Sequence, residues 1–466
     1  MVINKKRSIS VFILAMFNVS LMASLRNLPL VAELGFSSLF FFAVVAIGFL
    51  VPAALVSAEL ATGWPKSGGI YIWVREAFGD KWGFFAIWMQ WVHNVTWFPA
   101  ILAFVAATLA YVFNPDLAGN NLFLFVVILV SFWGMTALNY FGIKTSSLFS
   151  TIGVIAGTIV PGLFIIGLGL LWIIEGNPIQ MDFVHDPFIP DLTDPNNLVF
   201  LGGLFLAFAG LEVSASYAGD VVEPQKNYPR AIIIAALITF FLFLLGSLSI
   251  SIVVPRDKIS LVSGLMEAFR VFLLNYHLTW IIPILAVLLI AGAIAETNSW
   301  IIGPAKALYT TSVHGNLPPF FQKQNKHNVP TNLLLFQACI VTCAALVLLF
   351  MPNASSGYWI LTAISAQIYL VMYLVMFAAA IRLRYSKPHV PRTYKIPNPH
   401  NGMWFIATLG IISSLFAILL SFLPPSQLQV GNLWFYELFL IVGLAAMIVL
   451  PLIMHSFRKP EWLLKK

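Results

Sequence analysis

The stretch ASLRNLP, residues 23–29, places Arg26 in the middle of an apolar segment that starts near residue 10. Pro29 has no backbone N–H to donate and disfavours a helical conformation at the residue before it. An ionisable side chain is costly in hydrocarbon and normally faces a cavity or a partner. The stretch therefore predicts a membrane-spanning helix that is interrupted beside a polar cavity.

The rest of the chain has the composition of a membrane protein. Of its 466 residues, 60% are hydrophobic and 9% are charged, whereas soluble domains average about 25% charged residues. Apolar segments long enough to cross a bilayer recur from end to end. They predict an all-α integral membrane protein with twelve transmembrane helices and no soluble domain. The spans run roughly over residues 10–33, 36–61, 82–112, 121–143, 147–174, 197–220, 229–254, 279–307, 331–351, 356–384, 402–423 and 433–456.

The lysines and arginines predict how the chain crosses the membrane. With twelve spans, 21 of the 25 lie on the side of the termini, Arg26 lies within a span, and three, Arg256, Lys258 and Arg270, lie opposite. The positive-inside rule then places both termini in the cytoplasm of a bacterial inner membrane. The net charge of +7 reflects this topology and contact with anionic membrane lipid, so we expect no nucleic-acid partner.

A second interruption occurs at AFAGLEVSAS, residues 207–216, where Gly210 and two serines weaken the helix around Glu212. The first break opens one unit of five spans and the second break opens the next. Paired discontinuous helices are typical of secondary transporters, although ordinary kinks are the alternative. We predict one transporter domain with repeats at about 10–174 and 197–384 and peripheral helices at about 402–456.

Span eight carries AETNSWIIGP, residues 295–304, in which Glu296 and Trp300 project from the same helix face. The acid suits an ammonium group or a proton, and the ring suits packing against a substrate. The plainer alternative is that Glu296 only neutralises Arg26. In span three, His93 is either a ligand or a satisfied core histidine. No phosphate-binding loop or catalytic constellation is recognisable, so we predict neither an enzyme nor a cofactor or metal site.

Several motifs together resemble the amino acid/polyamine/organocation superfamily and, within it, the bacterial glutamate/GABA antiporters. They are PAALVSAELATGW, GGIYIWV, WGF, GLEVSAS, NYPRAI, VVPRDKISLVSGLMEAF, AETNSWIIGP and SFLPP. The resemblance implies a LeuT-like fold of two inverted five-helix repeats plus two peripheral helices, working by alternating access. It also implies a site between spans one, three, six, eight and ten. Glu296 and Trp300 match the family's substrate-site and gate residues, and Glu212 matches the glutamate beside the unwound segment.

The prediction is an antiporter that exchanges an external amino acid, for example glutamate, for an internal amino acid or its decarboxylation product, such as GABA. A proton-coupled uptake permease is the alternative, and a channel or transporter-like sensor is a weaker one. Glu296 and Glu212 are candidates for proton coupling, and Arg26 either binds a substrate carboxylate or pairs with Glu296. The candidate substrate-binding residues are Ala23, Ser24, Leu25, Arg26, Asn27, His93, Ala209, Gly210, Glu212, Glu296 and Trp300.

Four further expectations concern the rest of the chain and its assembly. Glu59, near the inner end of span two, is expected to serve as a structural hydrogen-bonding group. Cys339 and Cys343 are expected to pack as buried thiols. About ten residues follow span twelve, fewer than in the tail of acid-resistance antiporters, so gating by such a tail is not expected. The protein is predicted to act as a monomer or homodimer.

Overall fold

The computed structural model describes residues 9–65, 68–141, 152–181, 187–194, 197–398, 400–425 and 432–463. Within these ranges the chain forms helices and no β-sheet, which confirms the all-α prediction. Eleven of the described helices are long and apolar enough to cross a membrane, and a shorter apolar helix covers Leu201–Ala215. The predicted sixth span is therefore short, and the count of twelve full spans is not confirmed. The start of predicted span five, 147–151, lies outside the described residues.

The α-helices are numbered here in chain order. They are α1 Val11–Met22, α2 Leu28–Ala32, α3 Ser38–Val45, α4 Val51–Gly63, α5 Ile70–Phe78, α6 Asp80–Phe113, α7 Asn121–Tyr140, α8 Val160–Ile174, α9 Leu201–Ala207, α10 Pro224–Val253, α11 Gly264–Asn275, α12 Ile282–Val313, α13 Thr331–Phe350, α14 Ala354–Ser386, α15 Asn401–Leu420 and α16 Leu433–Ser456. Short turns of 3-10 or π helix extend several of them, so that one span often contains two numbered helices.

The first span is interrupted where the sequence predicts it. Helix α1 ends at Met22, and Ser24 has the extended backbone angles φ −85° and ψ 110°. A single 3-10 turn over Leu25–Asn27 then leads into α2. Pro29 lies in the first turn of α2, where its missing N–H has no helical carbonyl to bond and its fixed φ suits a helix start. The proline therefore starts a new helix and does not merely bend the old one.

The second interruption lies in the predicted sixth span, at Gly210, whose φ of +120° is one that residues other than glycine rarely adopt. A Cβ at this position would lie 3.1 Å from the carbonyl oxygen of Leu21 and 3.2 Å from the ring of Trp300. The Gly210 amide donates a hydrogen bond of 2.9 Å to the hydroxyl of Tyr373. Glycine thus lets this break approach the end of α1 closely.

Helix α12, which carries Glu296 and Trp300, packs closely against the π turn that precedes α8. A Cβ on Gly157 would lie 2.3 Å from the backbone nitrogen of Gly292. Small residues allow helix backbones in membranes to approach each other in this way, and the resulting contact stabilises their association. This contact sets the position of α12 relative to the rest of the bundle.

The expectation for the two cysteines is wrong. Cys339 and Cys343 are free thiols on the exposed face of α13. They are four residues apart and share a helix face, as the sequence indicates. The opposite face of the helix, which includes Leu334 and Ala338, packs against the core. Hydropathy alone does not say which face of an all-apolar helix points outward, because lipid accepts a thiol as readily as a protein core does.

Candidate functional site

Both helix breaks border one central cavity, together with α6, α12 and α14. Its volume is about 20 Å³, enough for little more than one water molecule. Seven of the predicted site residues line it, namely Ser24, Arg26, Asn27, His93, Ala209, Glu296 and Trp300. The structure thus brings these seven residues together from four separate parts of the chain.

Four predicted residues do not line the cavity. Leu25 points towards α8, where its methyl group would contact a Cβ placed on Gly162 at 3.4 Å. Ala23 continues the end of α1, since its amide donates to the carbonyl of Val19. Gly210 lies behind the cavity wall, where its amide donates to the hydroxyl of Tyr373. The carboxylate of Glu212 is directed towards α14.

Arg26 is buried, and its guanidinium lies between two aromatic rings. Its Nη1 donates to the hydroxyl of Tyr358 at 2.6 Å. The guanidinium carbon lies 5.2 Å from the ring centroid of Trp97 and 5.5 Å from that of Tyr358. Both distances are within the range of cation–π attraction. These contacts hold a full positive charge in one orientation at the wall of the cavity.

No ion pair within 4.0 Å joins Arg26 to Glu296 or to any other described carboxylate. Arg26 and Glu296 line the same cavity and attract each other electrostatically without direct contact. Glu296 also faces the side chain of Ser24. The alternative in which the two form a direct pair is therefore not met in this conformation. The cavity instead presents a cation and a carboxyl group separately.

Trp300 and His93 form an aromatic part of the cavity wall. The Trp300 ring lies 5.9 Å from His93, 5.8 Å from Trp97 and 6.1 Å from Tyr369, measured between centroids. The His93 ring is stacked on Tyr369 at 4.0 Å with an interplanar angle of 7°. The Nδ1 of His93 lies 3.1 Å from the carbonyl of Ser365. Because that oxygen can only accept, Nδ1 carries the proton and Nε2 is the acceptor of the neutral ring.

Glu212 lies one side chain behind the cavity wall. It is buried and accepts hydrogen bonds from Gln90 Nε2 at 3.0 Å and from the hydroxyls of Tyr369 and Tyr373. Of these donors, Tyr369 also lines the cavity. No described cation lies within 4.0 Å of the carboxyl group, which is satisfied by neutral donors alone. Tyr369 is thus the direct link between Glu212 and the cavity.

Sequence reasoning missed four aromatic residues around the cavity. Trp97 is one helical turn beyond His93, and Tyr358, Tyr369 and Tyr373 all lie on α14. The spacings of 11 and 4 residues between these tyrosines place them on one helix face. This periodicity was the available signal, but it says nothing about which face meets the cavity.

Glu59 binds the C-terminal end of α14 and the chain that follows it. It accepts from Arg384 Nε at 2.6 Å, from Arg392 Nη1 at 3.2 Å and from the amide of Ile396 at 2.8 Å. All three donors come from beyond residue 380, and both arginine side chains are buried. Glu59 therefore joins α4 to the C-terminal end of α14, away from the central cavity.

The fold and the cavity are those of a membrane transporter, with two broken helices meeting at a buried polar site. The chain matches the model of the amino acid permease family over residues 9–445. It is 43% identical over 448 residues to an uncharacterized transporter of Legionella pneumophila, covering 96% of each chain. It is 31% identical over 457 residues to the glutamate/gamma-aminobutyrate antiporter of Lactococcus lactis, covering 97% of this chain and 91% of that one.

A more distant relative is a probable agmatine/putrescine antiporter of Lactococcus lactis, with 24% identity over 398 residues, 84% of this chain and 83% of that one. The protein belongs to the amino acid permease family of the amino acid/polyamine/organocation superfamily. It is a multi-pass inner-membrane transporter of amino acids or organocations and not an enzyme.

Proposed function

We propose that this protein is an amino-acid antiporter, which exchanges an external amino acid such as glutamate for an internal amino acid or its decarboxylation product such as GABA. The observation that carries the proposal is Arg26, a buried guanidinium held by Trp97 and Tyr358 at a cavity wall with no carboxylate within 4.0 Å among the described residues. A buried charge without a counterion is costly, and the carboxylate of a substrate would relieve that cost.

Glu296 supplies the complementary group in the same cavity. An amino acid carries an ammonium group, which a carboxylate binds through charge-assisted hydrogen bonds. Ser24, Asn27 and Ala209 border the helix breaks, and their amides already donate to backbone carbonyls there. Their own carbonyls would add acceptors of the kind that hold substrate in discontinuous helices. Trp300 would then pack against the bound substrate.

The cavity is smaller than any amino acid, so binding requires the surrounding helices to move apart. In the proposed mechanism the repeats at about 10–174 and 197–384 move against each other and open the site to one side at a time. Both termini lie in the cytoplasm in this proposal, and the transporter works as a monomer or homodimer. Antiport requires that the protein changes conformation only when substrate is bound. Pairing of Arg26 and Glu296 with the substrate would favour the conformational change of the substrate-bound protein.

Counterflow in liposomes tests the proposal. Purified protein is reconstituted into vesicles loaded with GABA or glutamate, and entry of external radiolabelled glutamate is followed against vesicles that contain buffer alone. Exchange predicts rapid entry only into the loaded vesicles. Equal entry into loaded and buffer-filled vesicles would contradict antiport.

A proton-coupled permease is the second candidate, because Glu296 borders the cavity and Glu212 lies directly behind it. Coupled protons would drive substrate into buffer-filled vesicles under an inward proton gradient, and Glu296→Gln would abolish this dependence on pH. The two mechanisms are therefore separated by the same vesicles, with and without internal substrate and with and without a gradient.

A further inference from the structure

A second cavity of about 130 Å³ lies at the side of the membrane opposite the termini. It is formed by the turn between α2 and α3, the outer segment 187–194 and the loop after α10. Its polar wall residues are Ser37, Asp191, Asn197 and Arg256, and leucine, phenylalanine and proline side chains complete the wall. None of these residues belongs to the central cavity.

The outer and central cavities lie at opposite ends of the same two half-helices. Leu34, at the outer cavity, follows α2, whereas Asn27, just before α2, lines the central cavity. Asn197 precedes α9 at the outer cavity, and Ala209 follows α9 at the central one. The half-helices have five and seven residues, which span about 8–11 Å. A solute in the outer cavity is therefore separated from the central site by these two short helices.

The walls of the outer cavity are held together by specific contacts. Ser37 donates its hydroxyl to the carbonyl of Pro187 at 2.5 Å. Asn197 Nδ2 donates to the backbone carbonyl of Asp191 at 2.9 Å. The ring of Phe188 packs edge-on against two phenylalanine rings at the start of α3, at centroid distances of 6.3 and 6.2 Å. The outer segment is thus bound to the outer ends of the first two spans.

The polar groups of this cavity match the two ends of an amino acid. Asp191 Oδ1 accepts from the amide and hydroxyl of Thr193, and among the described residues no group donates to its Oδ2. Arg256 has an interaction of its own in the structure, but a guanidinium has five N–H donors and can serve more than one acceptor. A carboxylate and a guanidinium in the wall of one cavity suit an ammonium and a carboxylate group respectively.

The sizes of the two cavities favour the outer one as the place where substrate is first held. A dry cavity of about 150 Å³ accommodates benzene, so 130 Å³ accommodates a short amino acid. The central cavity, at about 20 Å³, does not. We infer that the outer cavity is a second substrate site, which binds a small zwitterionic amino acid before α2 and α9 move apart. This inference rests on the proposed transport function.

Binding and exchange measured on the full-length protein test the inference, with γ-aminobutyrate as the probe. Wild-type protein in nanodiscs is expected to bind two probe molecules per chain, and Asp191→Asn to bind one. In exchange, Asp191→Asn and Arg256→Gln are expected to raise the KM for outside substrate about tenfold or more, from loss of a charged hydrogen bond. The KM in inverted vesicles should stay unchanged. Asp191 is exposed, so its substitution leaves the core intact.

Asp116→Asn and Lys258→Gln are the matched controls, because both residues lie in outer loops and neither lines the outer cavity. Equal numbers of bound probe molecules in wild-type and Asp191→Asn protein, or an outside KM for Asp191→Asn equal to that of the controls, would overturn the outer site while exchange itself continued. Absence of exchange with every amino acid would instead refute the proposed function. The probe stoichiometry of wild-type and Asp191→Asn protein would still decide on the outer site in that case.

Discussion

Replacing Arg26 by glutamine tests the role of the buried guanidinium most directly. Glutamine retains a donor for the Tyr358 hydroxyl but removes the charge and the stacking on Trp97. A hydrogen bond to a charged group contributes about 1.5–3 kcal/mol, and each 1.4 kcal/mol is about tenfold in affinity. We therefore expect the KM for substrates that carry a carboxylate to rise about 10- to 100-fold. The KM of Arg26→Lys should lie between those of the wild type and Arg26→Gln, because lysine keeps the charge but lacks the planar guanidinium group.

The assay is counterflow in liposomes with three probes: glutamate, GABA and an amine without a carboxyl group. If Arg26 binds the carboxylate, transport of glutamate and GABA weakens while any transport of the amine does not. Arg270→Gln, at an exposed position on α11, is the control for charge removal. An equal loss for all three probes would show that Arg26 serves the fold, and an unchanged KM for glutamate would refute the carboxylate-anchor argument.

Three further predictions concern stability, measured as thermal unfolding in detergent. Gly157→Val places a side chain against the backbone of α12 at 2.3 Å and should lower the free energy of unfolding by about 1–3 kcal/mol. Gly167→Val, whose side chain meets open space, is the control and should lower it little. Equal losses would contradict the packing argument. Glu59→Gln leaves two buried guanidinium groups without their carboxylate and should lower the free energy of unfolding by about 3–5 kcal/mol. The control is Glu76→Gln, in the half-exposed pair with Lys387, which should cost less. A smaller loss for Glu59→Gln than for this control would contradict the argument. Burial raises the pKa of Glu33, which follows the first membrane helix Val11–Ala32, from 4.5 to about 8 against the opposing effect of the nearby Arg256. The folded protein therefore loses stability as the pH rises from about 4.5 through 8, and Glu33→Gln should flatten this slope; an unchanged slope would refute the assignment.

The absence of a direct pair between Arg26 and Glu296 bears on how the site works. A closed pair would neutralise both groups and leave the cavity indifferent to charge. Held apart, the guanidinium on the Trp97 side and the carboxyl group on α12 can each bind one end of a zwitterion. Substrate would then replace the missing direct contact between the two charges.

The candidate site was only partly predictable from the sequence. Arg26, Glu296 and Trp300 could be singled out because a charge or a helical spacing in an apolar span is visible locally. Glu212 was singled out on the same grounds, but the structure directs it towards α14 and away from the cavity. The rotation of a helix about its axis depends on all its neighbours, and no local pattern records it.

The sequence by itself determined the class of the protein and the interruptions of two spans. Hydropathy over about 20 residues predicts a membrane helix, and Pro29 and Gly210 act on their own backbone, so both signals are local. Only the tertiary structure decided the partners of the buried charges. Tyr358 is 332 residues from Arg26, and Tyr369 is 157 residues from Glu212. Such contacts depend on which faces of distant helices meet, and packing of the whole bundle sets them.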